Sequence, residues 1–143
     1  MKNIKYIILL TIFIISLIAS IILSSVPLEK ACGGIENGCY IVNTSPYETT
    51  FGIKNSNIGI AAFVMLIVFT LEWIFYKKSK SNKFIITLGI IIGALFSIYF
   101  LYIQFFVLKL MCKYCMVIDL GMLLSLGIIL FWKEEKDLNN LIL

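Results

Sequence analysis

The sequence contains no histidine and few charged residues. Without histidine the chain has no histidine-dependent zinc site, no haem held by histidine, and no Ser–His or Cys–His nucleophile pair. Charged residues make up only 14% of the chain, whereas hydrophobic residues make up 61%. Because a soluble domain of 143 residues could not cover so much apolar surface, we expect lipid to be part of its solvent. Any chemistry must therefore depend on cysteine, carboxylate, tyrosine or a bound cofactor.

Arginine is absent as well, so all twelve basic residues are lysines, and the net charge is only +4. This balance is too mild, and the lysines are too scattered, to indicate nucleic acid as a partner. The lysines are informative about membrane orientation instead.

Four long apolar runs dominate the chain. A helix needs about 20 apolar residues to cross about 30 Å of hydrocarbon, and we predict transmembrane helices at residues 6–25, 58–76, 84–108 and 115–132. The first run exceeds the apolar core of a cleaved signal peptide, which is about 7–15 residues, so we interpret it as retained. The prediction is one all-α membrane domain, residues 1–143, with a loop at 26–57, a short loop at 77–83 and a tail at 133–143.

Four spans place both termini on one side of the membrane, and the lysines are divided unequally between the two sides. Four lie on the side without the termini, and eight share the side of the termini: Lys2, Lys5, Lys77, Lys78, Lys80, Lys83, Lys133 and Lys136. The positive-inside tendency makes the lysine-rich side cytoplasmic. We therefore expect a multi-pass protein of the cell membrane with cytoplasmic termini and an extracytoplasmic 26–57 loop.

The four cysteines form two close pairs on the predicted outer side. Cys112 and Cys115 have CxxC spacing at the head of the last span, and Cys32 and Cys39 lie in the long outer loop. At the first turn of a helix, unpaired backbone N–H groups stabilise a thiolate. The outer side is also the oxidising compartment in which disulfides persist.

Three interpretations of these cysteines remain open: structural disulfides, a four-cysteine metal site, and a redox relay. Six residues between Cys32 and Cys39 exceed the usual spacing of a zinc half-site. A disulfide between Cys112 and Cys115 would close a very small ring and add little chain-entropy stabilisation. We favour the relay, whose obvious diffusible electron acceptor in a membrane is a lipid quinone.

Further motifs occur in a fixed order along the chain. They are Cys32 and Cys39 after the first span, Ser45 followed six residues on by Phe51-Gly52, Asn55-Ser56-Asn57-Ile58-Gly59 at the second span, and Tyr99-Phe100-Leu101-Tyr102-Ile103-Gln104-Phe105-Phe106-Val107-Leu108 leading to Cys112-Lys113-Tyr114-Cys115. In these features the chain resembles the vitamin K epoxide reductase family in its small prokaryotic form. The resemblance covers Cys32 to about Asp119, and it implies a four-helix bundle around a quinone, capped by the loop between helices 1 and 2.

The resemblance also implies roles for the cysteines. Cys112 and Cys115 match the family's active-site pair, with Cys115 facing the quinone. Cys32 and Cys39 match the shuttle pair that exchanges with a thioredoxin-like partner, and Cys39 would form a transient bridge to Cys112.

Other positions match the family's quinone pocket and its cap. Asn55 matches an asparagine that hydrogen-bonds a quinone oxygen, whereas on the sequence alone a polar residue at the end of a loop is most often a helix N-cap, here for the second span. Ser45 and Phe51 match positions that brace the cap. The remaining matches are positions that line the pocket: Val42, Tyr47, Ile58, Phe100, Gln104 and Leu108.

The chain departs from the family pattern in two respects. Vertebrate members carry a tyrosine four residues after the last cysteine, where this chain has Asp119. An ionisable group within a span is usually functional, so Asp119 could hold or relay a proton; a carboxyl group hydrogen-bonded near the helix start is the alternative. Some bacterial members carry a fused thioredoxin-like domain, whereas this chain ends at Leu143, so we expect a separate partner.

We therefore expect an integral-membrane oxidoreductase. It would oxidise a separate secreted or membrane-anchored thioredoxin-like protein and pass electrons to a quinone of the menaquinone, ubiquinone or vitamin K type, thereby supporting disulfide formation outside the cytoplasm. The alternatives are a quinone or quinone-epoxide reductase that serves the quinone pool, and a non-catalytic membrane scaffold whose disulfides are structural.

Overall fold

The structure, a computed structural model, describes residues 4–27, 29–30, 33–34, 38–76 and 80–131. Its long helices are α1 (Ile4–Ser25), α3 (Asn55–Phe75), α4 (Lys80–Tyr102) and α5 (Lys113–Phe131). A π-helical segment, Ile103–Val107, continues α4 without a break, so that the third apolar element is 28 residues long. Each of the four is long and apolar enough to cross a membrane, which confirms the all-α, four-span architecture.

The second, third and fourth spans begin two to four residues earlier than their apolar runs. They start at Asn55, Lys80 and Lys113, whereas the sequence placed their starts at 58, 84 and 115. Polar residues at these helix ends are helical although they are not apolar, because the end of a membrane helix extends into the headgroup region. The predicted tail at 133–143 and part of the 77–83 loop lie outside the described residues.

A small folded cap occupies the connection between α1 and α3. It contains the helix α2 (Gly38–Thr44), a 3₁₀ turn (Pro46–Glu48), and a hairpin of two short antiparallel strands, β1 (Thr49–Thr50) and β2 (Ile53–Lys54). Phe51 and Gly52 form the tip of the hairpin with φ of 55° and 80°. Two successive positive φ values are typical of the tight turns that suit the twist of a hairpin.

The helices pack in a ring in which α1 contacts α3 and α5, and α4 contacts α3 and α5. The bundle core consists of eight buried side chains: Tyr6, Leu9, Phe13, Phe63, Leu66, Ile86, Ile90 and Met122. Small residues allow the close approaches. A Cβ at Gly93 would collide with Met122, and a Cβ at Gly121 would lie 2.8 Å from the Ser16 hydroxyl. These glycines thus lie at contacts between helices.

The chain reverses direction between α4 and α5 in only five residues. The π-helical segment ends at Val107, Lys109 adopts a positive φ of 53°, and the amide of Leu110 donates to the carbonyl of Gln104 at 3.0 Å. The carbonyl of Cys112 accepts the amide of Met116 at 2.9 Å, so Cys112 occupies the cap position immediately before α5. The CxxC motif therefore begins the last span, as the sequence predicts.

Candidate active site

Three cysteines meet where the cap contacts the head of α5. Cys39, on α2, is buried and disulfide-bonded, whereas Cys112 and Cys115 are free thiols. The Sγ atoms of Cys39 and Cys112 are 3.6 Å apart, which is near the van der Waals contact of two sulfur atoms. A thiol next to a disulfide sulfur is the geometry from which thiol–disulfide exchange begins. Cys32, the other predicted shuttle cysteine, lies outside the described residues.

The surroundings of Cys112 stabilise its thiolate form. A hydrogen bond from the thiol of Cys115 is the largest cause that lowers the pKa of Cys112 to about 6, against the opposing effect of burial. The amide N–H of Cys115 at 3.3 Å and the side-chain amide of Asn43 at 3.2 Å also donate to the Cys112 sulfur. At neutral pH Cys112 is therefore largely ionised, although it is fully buried.

Asn43 is a site residue that sequence reasoning missed. It is buried on α2, one helical turn after Cys39, and its side-chain nitrogen donates to the Cys39 carbonyl at 2.8 Å. The same nitrogen contacts the Cys112 sulfur, and its oxygen lies 3.8 Å from the Cys115 sulfur. Its signal was the i, i+4 spacing from Cys39, which becomes informative only if residues 38–44 are recognised as a helix. We name Cys39, Asn43, Cys112 and Cys115 the thiol cluster.

A cavity of about 90 Å³ lies beside the thiol cluster, between the cap and the outer ends of the helices. Its walls come from α1, the cap, α3, α4 with its π-helical segment, and α5. The lining includes Cys115 and seven of the eight predicted cofactor-binding residues, which are Val42, Tyr47, Asn55, Phe100, Gln104, Leu108 and Asp119. Elements that are distant in the sequence thus converge on one site next to a reactive thiol.

Ile58 is the predicted pocket residue that is not brought to the cavity. It lies on α3 with 41% of its surface exposed, whereas Asn55, Ser56 and Gly59 line the cavity. Successive helical residues are separated by about 100° around the axis. Positions 55, 56 and 59 therefore form the cavity side of α3, and position 58 lies beside that side without lining the cavity.

Gln104 and Asp119 form a buried polar pair at the cavity wall. The Gln104 side-chain nitrogen donates to the Asp119 carboxylate at 3.2 Å, and its oxygen accepts the backbone amide of Cys112 at 3.4 Å. Gln104 belongs to the π-helical segment, and such segments are frequent at functional sites. One side chain therefore connects the end of the third span, the start of the CxxC motif and the intramembrane carboxyl group.

Asn55 connects the cap to α3. Its side-chain oxygen accepts the Thr50 hydroxyl at 2.7 Å, and its side-chain nitrogen donates to the Tyr47 carbonyl at 2.8 Å. The residue before the helix is Lys54, and its side chain makes no capping hydrogen bond. The helix-cap interpretation of Asn55 is therefore wrong, because Asn55 is already helical and its amide spans the base of the hairpin.

The two residues expected to brace the cap differ in their surroundings. The hydroxyl of Ser45 donates to the Val42 carbonyl at 2.7 Å, which ties the end of α2 to the following turn. Phe51 has 99% of its surface exposed at the hairpin tip. Ser45 therefore has a contact that fits a bracing role, whereas Phe51 has no packed surface around it.

The residues of the cavity suit a quinone. Phe100, Ile103, Leu108 and Ile118 provide apolar wall, as a flat ring requires. Ser20 and Ser56 also line the cavity, and their hydroxyls are buried without a hydrogen-bond partner among the described residues. A buried hydroxyl without a partner is costly. The carbonyl oxygens of a quinone in this cavity would be acceptors for both hydroxyls. With Asn55, the chain thus supplies polar groups at the rim and apolar groups at the walls.

The sequence profile of the vitamin K epoxide reductase family matches residues 7–130 of the 143-residue chain. No curated protein and no solved structure gives a match. The family match extends over all four spans and includes every cysteine. Family membership implies a membrane oxidoreductase that acts on thiols and disulfides with quinones, working in general with thioredoxin-like partners. With its four spans and thiol cluster, the chain belongs to the vitamin K epoxide reductase family.

Proposed function

We propose that this protein transfers electrons from a thioredoxin-like protein outside the cytoplasm, through Cys32 and Cys39, to Cys112 and Cys115, and from there to a quinone. The observation that carries the proposal is the 3.6 Å separation between the Cys39 disulfide sulfur and the Cys112 sulfur. The lowered pKa of Cys112, to about 6, supports the same route because thiol–disulfide exchange requires a thiolate.

The exchange between the two pairs conserves atoms and electrons. When the Cys112 thiolate attacks the Cys39 sulfur, a Cys39–Cys112 bond forms, the existing disulfide bond of Cys39 breaks, and the former partner of Cys39 leaves as a thiolate. In the direction of electron flow the exchange has two steps. The Cys39 thiolate attacks the Cys112 sulfur of the Cys112–Cys115 disulfide, and Cys115 leaves as a thiolate. Cys32 then attacks the Cys39 sulfur of the Cys39–Cys112 bridge, and Cys112 leaves as a thiolate. The hydrogen bonds that stabilise the Cys112 thiolate therefore assist both directions.

Bound in the cavity, a quinone would supply the acceptor for the two electrons and two protons released when Cys112 and Cys115 form a disulfide. Cys115 lines the cavity, so we assign it as the cysteine next to this acceptor. Asn55, Ser20 and Ser56 would hold the carbonyl oxygens. Buried next to Gln104 and lining the same cavity, Asp119 is the group that would hold or pass a proton.

The donor is a reduced thioredoxin-like protein, and the net result is disulfide formation outside the cytoplasm. This direction follows from the orientation inferred from the lysines, with cytoplasmic termini and the thiol cluster on the opposite side. The orientation is tested in intact cells with a membrane-impermeant thiol probe, using single added cysteines in a chain whose native thiols are blocked. Thr49→Cys, in the cap, should be labelled from outside, whereas Ser79→Cys should not; labelling at position 79 would reverse the orientation and the export function.

The central experiment is quinone reduction by the full chain in lipid nanodiscs, with a reduced thioredoxin-like protein as donor and a short-chain quinone as acceptor. We expect one hydroquinone per disulfide formed in the donor. A parallel reaction with a quinone epoxide distinguishes an epoxide reductase from a quinone reductase. If the cysteines resist mild reductants and no electrons reach the quinone, they are structural and the protein is a scaffold.

A further inference from the structure

Asn43 contacts all three cysteines of the thiol cluster, and neither the sequence motifs nor the family match assigns it a role. Its side-chain nitrogen is 2.8 Å from the Cys39 carbonyl, 3.2 Å from the Cys112 sulfur and 3.8 Å from the Cys39 sulfur. Its oxygen is 3.8 Å from the Cys115 sulfur. The side chain thus lies between the sulfur of Cys39, which is part of a disulfide, and the free sulfurs of Cys112 and Cys115.

The orientation of this amide follows from chemistry. The Cys39 carbonyl can only accept a hydrogen bond, so the atom 2.8 Å from it must be the amide nitrogen rather than the oxygen. The second hydrogen of that nitrogen is then available to the Cys112 sulfur, and the oxygen is left for the Cys115 thiol. One anchored side chain therefore gives opposite partners to the two cysteines: a donor to Cys112 and an acceptor to Cys115.

We propose that Asn43 is the positioning residue that makes Cys112, rather than Cys115, the cysteine that exchanges with Cys39. Its nitrogen donates to the Cys112 sulfur and holds it against the Cys39 sulfur, and this donated hydrogen bond favours the thiolate form of Cys112. Its oxygen lies 3.8 Å from the Cys115 sulfur and offers that thiol a second acceptor besides the Cys112 sulfur, so that Cys115 remains a proton donor. This inference rests on the proposed function for its biological meaning, but the contacts themselves do not require a quinone.

The packing explains why an asparagine can perform this task. Asn43 is 5% exposed on α2, and its bond to the Cys39 carbonyl, one turn earlier, fixes the side chain along the helix axis. Cys39 is on the same helix, so α2 holds the amide close to the Cys39 sulfur. The amide therefore links the position of the Cys112 sulfur to that of Cys39.

Other ionisable groups also act on Cys112. Cys115 is the nearest, Glu48 approaches from the cap, and Asp119 approaches from α5. None of these three is altered in the variants that follow, so a change in the titration of Cys112 reports the replacement at position 43. The wild-type reference is the pKa of about 6.

The test compares Asn43→Leu and Asn43→Asp with the wild-type chain in nanodiscs. Both replacements keep the approximate volume; leucine removes the donor, and aspartate replaces it with a negative charge. Alkylation of Cys112 by iodoacetamide is followed against pH by peptide mass spectrometry. A hydrogen bond to a charged group corresponds to about one to two pKa units, so the alkylation rate at pH 6 should fall about fivefold or more in Asn43→Leu, and further in Asn43→Asp.

A second measurement addresses selectivity. Exchange is quenched with acid, and the bridges from Cys39 to Cys112 and from Cys39 to Cys115 are counted. The wild type should give almost only the first bridge, whereas Asn43→Leu should give a mixture. At pH 9, where Cys112 is ionised in every variant, the rate of Cys112 alkylation should recover.

Thr44→Val is the matched control, because Thr44 is the next residue of α2 and makes the same kind of back-bond, to the carbonyls of Tyr40 and Ile41, without touching a cysteine. Its titration midpoint and bridge ratio should equal those of the wild type.

Unchanged midpoints and bridge ratios in a folded Asn43→Asp chain overturn the proposal, as does a Thr44→Val shift equal to that of Asn43→Leu. If Asn43→Leu does not fold, the Asn43→Asp result decides alone. If the wild type reduces no quinone, the proposed function is refuted. The pH midpoints of Cys112 alkylation still test the role of Asn43 in that case.

Discussion

The two ends of the bundle are stabilised by different interactions. The bundle core is apolar, and its contacts include the Phe13–Phe63 ring pair, with centroids 6.4 Å apart. The end below the cap buries Asn43, Gln104 and Asp119, each hydrogen-bonded to a cysteine, to the CxxC backbone or to one another. Polar groups of this kind are expensive inside a membrane protein unless they serve a function. The bundle core thus holds the helices together, whereas the capped end carries the free thiols and the polar groups hydrogen-bonded beside them.

The largest effect should come from removing a thiol at the capped end. Cys112→Ala deletes the nucleophile 3.6 Å from Cys39, so turnover with a thioredoxin-like donor should fall to background, while the chain stays folded because the bundle core is unchanged. Cys115→Ala should instead accumulate a Cys39–Cys112 bridge, since the resolving thiol is gone. Non-reducing peptide mapping detects the bridge, and thermal unfolding checks the fold. Wild-type turnover in either variant would make the cysteines structural.

The reverse experiment damages the bundle core and leaves the thiols intact. Leu9 is fully buried, and Leu9→Ala should cost about 2–5 kcal/mol of unfolding free energy through lost packing and a cavity. Leu124, which is 58% exposed on α5, provides the matched control, and Leu124→Ala should cost little. Unfolding in detergent measures the stability of both variants. The pH midpoint of Cys112 alkylation should stay near its wild-type value in both; a shift in Leu9→Ala would mean that the two ends are not separable.

The two ends also differ in how much of their structure the sequence could predict. Four spans follow from apolar runs, because every lipid-facing or core residue of a span must be apolar whatever its neighbours are. The position of the CxxC motif at a helix start was predictable for the same local reason. Both depend only on residues close in the chain.

The contacts at the capped end were less predictable because they are tertiary. Asn43 meets Cys112 across 69 positions of the chain, and that requires knowing both that residues 38–44 are helical and how this helix docks on α5. Ile58 was assigned to the cavity from alignment alone, but the cavity face of α3 is set by the phase of the helix, which starts at Asn55. The hydrogen bonds of Asn55 likewise depend on the hairpin of the cap.

Asn55 lies at the boundary between the two ends, and its replacement should have an intermediate effect. Asn55→Asp keeps the acceptor for Thr50 but removes the donor to the Tyr47 carbonyl and places a carboxylate against it. The Tyr47 carbonyl is exposed, so the loss of this hydrogen bond should cost little stability. A carboxylate has no hydrogen to donate to a quinone oxygen, so quinone turnover should fall about tenfold or more. Exchange between the partner and the shuttle pair should survive. A matched Asn57→Asp variant, on the same helix, controls for added charge, and normal quinone turnover in Asn55→Asp would exclude Asn55 as a quinone ligand.

The smallest effect concerns pH and Glu48, which lies half-buried at the cavity rim outside the spans. Burial is the main cause that raises the pKa of Glu48 to about 7 from 4.5, the Cys112 charge adds to it, and Lys54 opposes it. The folded protein therefore holds a proton that the unfolded chain releases between pH 4.5 and 7. Stability from this group is full below pH 4.5 and decreases as the pH rises towards 7.

Glu48→Gln keeps the shape of the side chain and cannot ionise, so it should remove this decrease. The expected gain in unfolding free energy at pH 7.5 relative to the wild type is about 1 kcal/mol, after allowance for solvent screening of a half-exposed group, and the difference should vanish at pH 4. Chemical unfolding at both pH values measures it, with Glu72→Gln as the control because Glu72 lies at the far end of α3, away from the cavity. Equal pH dependence in the wild type and Glu48→Gln would show that the carboxyl group is ionised in the folded protein, and that burial at the cavity rim is weaker than the packing of the cap indicates.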